Sequence, residues 1–256
     1  MNVQAGTSLL DLLHARSGIV CAVGAGGKKS LLKHLALAHP GRVALTATVF
    51  TTYFQESIGF GVAIDADERL PAAVARLDPT MSVAYACPGD KPGRRAGASA
   101  ATVEQIHRDG AFAATFVKAD GARMRLIKAP AADEPALPAC CTTIVPVLSV
   151  LAVGEPLTAR IAHRVEHIAS VAGLREGEVI APVHLGRLLA SPDGSLKAVG
   201  TRHVVPVLNM VDDAVRHAQA REAAEAALRL TDRFDRVVLV RLSQADPLVD
   251  VVQRPA

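Results

Sequence analysis

Apolar positions along this chain fall into short unbroken runs separated by stretches where they recur at helical spacing. Ile19, Val20, Cys21, Ala22 and Val23 form one such run; Leu31, Leu32 and Leu35 follow at the spacing of a helix face. The pattern predicts a strand, a glycine-rich turn and a helix. It continues with strands expected over 43–48, 82–86, 113–118, 143–153, 203–208 and 236–242, and helices over 67–77, 100–108, 157–172, 182–190 and 213–230. Strands that read as apolar on both faces suit a sheet covered by helices on both sides. The expected fold is therefore α/β, a mainly parallel doubly wound sheet forming one domain over 1–256. Residues 155–200 have the weakest strand character and are expected to form a small helical lobe within it.

The turn between the first strand and helix carries candidate chemistry. It reads Gly24-Ala25-Gly26-Gly27-Lys28-Lys29-Ser30. Glycines let backbone N–H groups converge on an anion, a helix N-terminus adds partial positive charge, and a lysine neutralises phosphate oxygens. The full P-loop pattern places a glycine at Ala22 and a hydroxyl at Lys29, so this loop is a shortened variant. A dinucleotide fingerprint fits less well, because its last glycine falls at Lys29 and the second strand ends in Thr46-Ala47-Thr48 rather than an acid. A glycine turn without a ligand is the third reading. The expectation is nucleotide binding on a P-loop-like sheet, through Gly24, Ala25, Gly26, Gly27, Lys28, Lys29 and Ser30.

Other strand ends add candidates, since ligands of doubly wound sheets sit at carboxyl ends. Thr46, Thr48, Thr51 and Thr52 offer hydroxyls near a phosphate or metal, although threonine is also an ordinary strand residue. The strand through Val117 ends in Lys118-Ala119-Asp120-Gly121, where P-loop enzymes place a carboxylate for Mg²⁺; Asp-Gly is equally a common turn. Ser30 and Asp120 are thus the expected Mg²⁺ ligands, and Lys28, Asp120 and Arg123 the expected catalytic residues, with Lys128 or Arg164 as further sources of charge. Late in the chain, Asn209-Met210-Val211-Asp212 is similar to the N-K-x-D element that reads guanine, with Met210 in place of lysine. Asn209 would tie the base loop to the phosphate loop and Asp212 would accept two hydrogen bonds from the base. The plain alternative is a pair of helix-capping residues.

Composition narrows the class. The net charge is only +3 and aromatic residues are 3% of the chain, which leaves little for phosphate tracking or base stacking on nucleic acid. The apolar run over 144–153 is broken by Pro146 and Ser149 and is too short to span a bilayer. Asp11, His14 and Arg16 interrupt the N-terminal leucines, as in an amphipathic helix rather than a signal peptide. Cys21, Cys87, Cys140 and Cys141 lack a C-x-x-C spacing, which suits a reduced, cytoplasmic protein.

Taken in order, these residues resemble the YqeC family. The resemblance rests on Gly24-Ala25-Gly26-Gly27-Lys28, the threonine-rich second strand end, Ala119-Asp120-Gly121-Ala122-Arg123, Lys128-Ala129-Pro130 and Glu134-Pro135. It continues through His163-Arg164, the turn from Pro192 to Lys197, and Val207-Leu208-Asn209-Met210-Val211-Asp212-Asp213. It implies a P-loop-like accessory protein for selenium-dependent molybdenum hydroxylases, binding GTP or ATP in maturation of the enzyme or its cofactor. The resemblance also implies a hydroxyl at Lys29, an acid at Lys118 and a lysine at Met210, so this chain departs from the pattern at groups expected around Mg²⁺ and its phosphates. Two functional classes follow: a nucleotide-dependent hydrolase or transferase, or a non-catalytic carrier that holds a phosphorylated cofactor for a partner protein.

Overall fold

β1 (Gly18–Gly24) lies in the middle of a large sheet, and its alternation decides the layers. Ile19, Cys21 and Val23 face one hydrophobic cluster, while Val20 and Ala22 face another on the opposite side. The computed structural model describes residues 8–52, 59–90 and 93–254. Around β1 run α1 (Leu9–Leu12), α2 (Lys28–Ala38), β2 (Val43–Ala47), β3 (Thr51–Thr52), β4 (Gly61–Ile64), α3 (Leu70–Ala75) and β5 (Val83–Pro88). Next come β6 (Arg94–Ala96), α4 (Ala100–Asp109), β7 (Ala114–Lys118), β8 (Ile127–Lys128), β9 (Cys141–Ser149) and β10 (Ala162–His163). The remainder is α5 (Val165–Ala172), α6 (Pro182–Ala190), β11 (His203–Val204), β12 (Val207–Asn209), α7 (Ala214–Leu230), β13 (Arg236–Val240) and β14 (Leu248–Gln253).

The main path of the sheet is β14-β13-β12-β9-β1-β7-β2-β5-β6-β3, with β11 beside β9 and β4 beside β5. From β13 to β5, and on to β4, every pairing is parallel; β14, β6 and β3 add antiparallel margins. This is the mainly parallel α/β sheet expected. Leucines of α1 and α2 cover one face, and α3 to α7 cover the other. The chain first builds outward from β1 through β2 and β5, returns to insert β7 between β1 and β2, then crosses to β9 on the other side. That reversal puts the ends of β1, β7 and β9 at a switch point, where open sheets leave a crevice.

Several boundaries differ from the sequence pattern for identifiable reasons. The strand expected over 203–208 is split, because Pro206 has no N–H to give the ladder; its two halves both pair with β9. The helix expected from 157 begins only at Val165, since 162–163 form β10 and pair with β8. The strand expected to reach 153 stops at Ser149, whose hydroxyl accepts from the Leu151 N–H and caps a short 3-10 turn. In the segment expected as a helical lobe, Ile168, Leu185 and Leu189 belong to the same apolar cluster as α7. The side chain of Thr52 and the dipeptide Lys91-Pro92 lie outside the described residues. Among those described, no helix is long and apolar enough to cross a membrane.

Candidate functional site

The apolar run of β1 delivers the chain to a loop whose backbone only glycine adopts without strain. Gly24, Gly26 and Gly27 have φ of +92°, +84° and +135°. A Cβ on Gly24 would stand 2.3 Å from the Val147 carbonyl oxygen, and one on Gly27 would stand 2.3 Å from Asn209 Nδ2. Ala25 is held by its N–H, which donates to the same Val147 carbonyl at 2.8 Å. Gly27 is the N-cap of α2 and brings no capping side chain, and the first turn of α2 contains no acid. Its terminal N–H groups therefore form a positive end at the sheet's switch point.

Buried charges line this loop. Lys28 is 4% exposed; its ammonium lies 2.7 Å from Asp120 Oδ1 and also donates to the Gly24 carbonyl. Asp120 Oδ1 has no well-aligned hydrogen bond beyond this ion-pair contact. Asp120 Oδ2 accepts from the Gly24 N–H at 2.8 Å and meets Lys128 Nζ at 2.9 Å. Lys128 also donates to the Gly121 carbonyl at 2.7 Å and to Glu134 Oε2 at 2.6 Å. Glu134 in turn receives Arg164 at 2.8 Å and the Ala131 N–H at 3.2 Å. The result is an alternating row, Lys28–Asp120–Lys128–Glu134–Arg164, running from the glycine loop through Lys128 of β8 to the start of α5. Lys197 holds the Ala131 and Ala132 carbonyls, the latter at 2.9 Å, and so fixes the loop that presents Glu134. A cavity of about 10 Å³, room for about one water, lies between Gly24, Asp120, Lys128, Gly194 and Lys197.

The ionisation of these groups follows from burial and partners. Burial pulls the Lys28 ammonium below its usual pKa, against the opposing pull of Asp120. Burial likewise lowers Lys118, with the charge of Lys28 adding to the effect, to about 8. For Glu134 burial acts upward, but Lys128, the Ala131 N–H and Arg164 outweigh it and hold the carboxyl at about 2.

A second loop meets the first. β12 ends at Asn209, 4% exposed, whose Nδ2 donates to the Gly26 carbonyl at 2.8 Å and whose Oδ1 accepts from the Leu242 N–H at 3.3 Å. One amide thus ties the glycine loop to the strand end after β13. Met210 follows with φ of +65° and its sulfur 2.9 Å from Ser149 Oγ. Asp213 caps α7 by accepting from the Arg216 N–H at 2.8 Å, which leaves the exposed Asp212 carboxylate at the rim.

The family model for YqeC protein matches residues 20–166, a span that holds the glycine loop, Asp120, Lys128, Glu134 and Arg164. The chain belongs to the YqeC family. A curated relative, "Uncharacterized protein YqeC" of Escherichia coli (strain K12), is 27% identical over 209 residues, covering 79% of this chain and 80% of that protein. No solved structure matches the chain significantly.

In this YqeC-family chain the residues singled out from sequence divide clearly. Gly24, Lys28 and Asp120 come together, as do Gly26 and Asn209. Lys29 and Ser30 sit on an exposed side of the first turn of α2, and Asp212 is exposed at the neighbouring loop. Arg123 is not drawn into the Asp120 row; it occupies an exposed turn at φ +46°, beside Met124, which is 96% exposed. The cation at Asp120 is instead Lys128. Two of the threonine hydroxyls expected near a phosphate are used structurally, Thr46 donating to the Tyr85 carbonyl and Thr48 to the Ala136 carbonyl, while the buried Thr51 hydroxyl has no hydrogen-bond partner among the described residues. Among the described residues no three His, Cys, Asp or Glu side chains gather as a metal site. Sequence reasoning missed the role of Glu134, which joins two cations. A signal existed in Ile127-Lys128-Ala129, where a lysine stands inside an apolar triplet and is 2% exposed.

Proposed function

We propose that this protein binds a purine nucleotide, or a cofactor bearing a similar phosphate chain, across the two loops. We further propose that it serves as an accessory protein in maturation of a molybdenum- or selenium-dependent hydroxylase. The observation that carries the binding reading is the Asn209 amide joined to the Gly26 carbonyl. It ties the Asn209 loop to the glycine loop, which supports one ligand spanning both. An entering phosphate would take the N-terminal N–H groups of α2 and draw the Lys28 ammonium away from the Gly24 carbonyl and Asp120. Asp120 would keep Lys128 and the Gly24 N–H, so the switch abandons no buried charge. At the other end, Asp212 would accept from the N1–H and 2-amino group of guanine, with Met210 as an apolar cover.

Resident Mg²⁺ fits this arrangement poorly. Both oxygens of Asp120 already face ammonium groups, and the exposed Ser30 adds no charge to offset them. Binding without hydrolysis is therefore favoured over the hydrolytic reading with Lys28, Asp120 and Arg123 in catalytic roles. A cytoplasmic setting suits the cysteines, all four of which are free thiols.

The test is calorimetric titration with GTP and ATP, each with EDTA and with Mg²⁺. Lys28→Ala is expected to weaken binding on the order of 100-fold, the scale of a lost charge-assisted contact. Asp212→Ala should erase any preference for GTP over ATP. Unchanged binding by Lys28→Ala would remove the glycine loop from the ligand site. For the maturation role, cells lacking this protein should lose molybdenum hydroxylase activity, and a copy carrying Lys28→Ala should fail to restore it. Full hydroxylase activity in those cells would sink that part of the reading.

A further inference from the structure

Lys118 closes β7 at the centre of the sheet, opposite Ala22 of β1 and Ala47 of β2. It is 9% exposed, and its ammonium donates to the Phe50 carbonyl at 2.9 Å. Among the described residues no carboxylate lies within ion-pair distance of it. Asp120, two residues on, already serves Lys28 and Lys128. Among the described residues, Lys28 and Lys29 from the first turn of α2, Lys128 from β8 and Asp120 all act on Lys118. A buried ammonium with no counter-charge among the described residues is costly, and its strand ends beside the strand that leads into the glycine loop. Such a surplus repels a divalent cation and favours an anion.

We propose that Lys118 acts with Lys28 as a phosphate-neutralising pair in place of a divalent metal, so that the preferred ligand is a metal-free polyphosphate chain. This rests on reading the Gly24–Lys28 loop as a phosphate cradle. The division of labour follows from position. Lys28 stands at the N-terminus of α2 and Lys118 at the end of β7, so the two would neutralise different oxygens of one chain. Mg²⁺ normally does this while keeping several waters; two ammonium groups do it with fixed hydrogen-bond donors and no dehydration of a metal.

The full chain is titrated with GTP and with inorganic pyrophosphate, first in excess EDTA and then in excess Mg²⁺. The wild-type protein is expected to bind the metal-free ligands at least as tightly as the Mg²⁺-bound ones. Lys118→Met should weaken metal-free binding on the order of 10- to 100-fold, and Lys118→Arg should restore most of it. Thermal unfolding of Lys118→Met is expected at or above the wild-type temperature, because a buried charge with no counter-charge among the described residues is removed; this separates lost binding from lost folding. If Lys118→Met binds as wild type while Lys28→Ala does not, the role of Lys118 is overturned and the cradle survives. Wild-type binding that requires Mg²⁺ overturns it as well. If the wild-type protein binds neither ligand in either condition, the cradle itself falls and the role of Lys118 falls with it.

Discussion

Asp120→Ala is expected to lower the stability of the unliganded protein by about 3–5 kcal/mol, the scale of breaking a buried ion pair by removing one partner. Lys28 and Lys128, exposed by 4% and 2%, would lose the carboxylate between them, and the Gly24 N–H would lose its acceptor. Against a typical total of about 5–15 kcal/mol this is a large fraction, and it is read from the denaturant midpoint. Asp120→Asn keeps an acceptor for Gly24 and should cost less. Binding should move the other way. With Asp120 removed, Lys28 no longer has to leave a carboxylate to meet phosphate, so metal-free GTP binds at least as tightly as to the wild-type protein. A carboxylate that held Mg²⁺ would behave oppositely, with affinity for Mg²⁺-GTP collapsing in the variant. A stable Asp120→Ala protein that has lost GTP binding would refute the lysine-centred account.

Gly24→Ala should be the most damaging single methyl in the loop. At φ +92° an alanine is strained, and its Cβ would lie 2.3 Å from the Val147 carbonyl oxygen, a backbone atom fixed in the sheet. Strain and overpacking each cost about 1–3 kcal/mol, so a loss of roughly 3 kcal/mol is expected. For a chain of this length that lowers the melting temperature by about 6–12 °C. Gly121→Ala is the control. It touches the same site, yet nothing lies within 4 Å of its added Cβ and its φ is unstrained. Equal effects from the two substitutions would remove the steric argument for a glycine-specified loop.

The architecture was legible because β1 is an unbroken apolar run and β7 and β9 are apolar over most of their length, while α2, α4 and α6 carry clear helical spacing. The α6 boundaries followed directly from Pro182 and Ser191 at its ends. What could not be read was pairing that depends on distant partners. β8 and β10 are two residues each and exist only because Ile127 and Lys128 meet Ala162 and His163. β14 is half-exposed, and its apolar alternation becomes a strand only beside β13. The site shows the same division. Gly24 and Lys28 are near neighbours, so their chemistry is written locally. The row through Lys128, Glu134 and Arg164 is set by a loop that returns to the end of β7, where the Ala136 N–H donates to the Ala119 carbonyl; Lys128 shows in its apolar triplet, but Glu134 and Arg164 look like surface charges in a linear reading. Arg123, expected with Lys128 and Arg164 as a source of positive charge, lies in an exposed turn, while Lys128 and Arg164 join the buried row.

The position of β1 also bears on how the protein is made. Its two neighbours are β7 and β9, so the first buried strand to leave the ribosome has no partner on either side until much later. The last residue of β9 follows the last residue of β1 by about 125 positions. At about 5–20 residues per second, that is a delay of about 6–25 s. Until β7 is made β1 has neither neighbour, and its far edge stays open until β9 arrives, while α1 and α2 supply apolar cover on one face only. Demand for a holding chaperone should therefore peak before residue 149 is synthesised and fall once β9 closes the far side of β1.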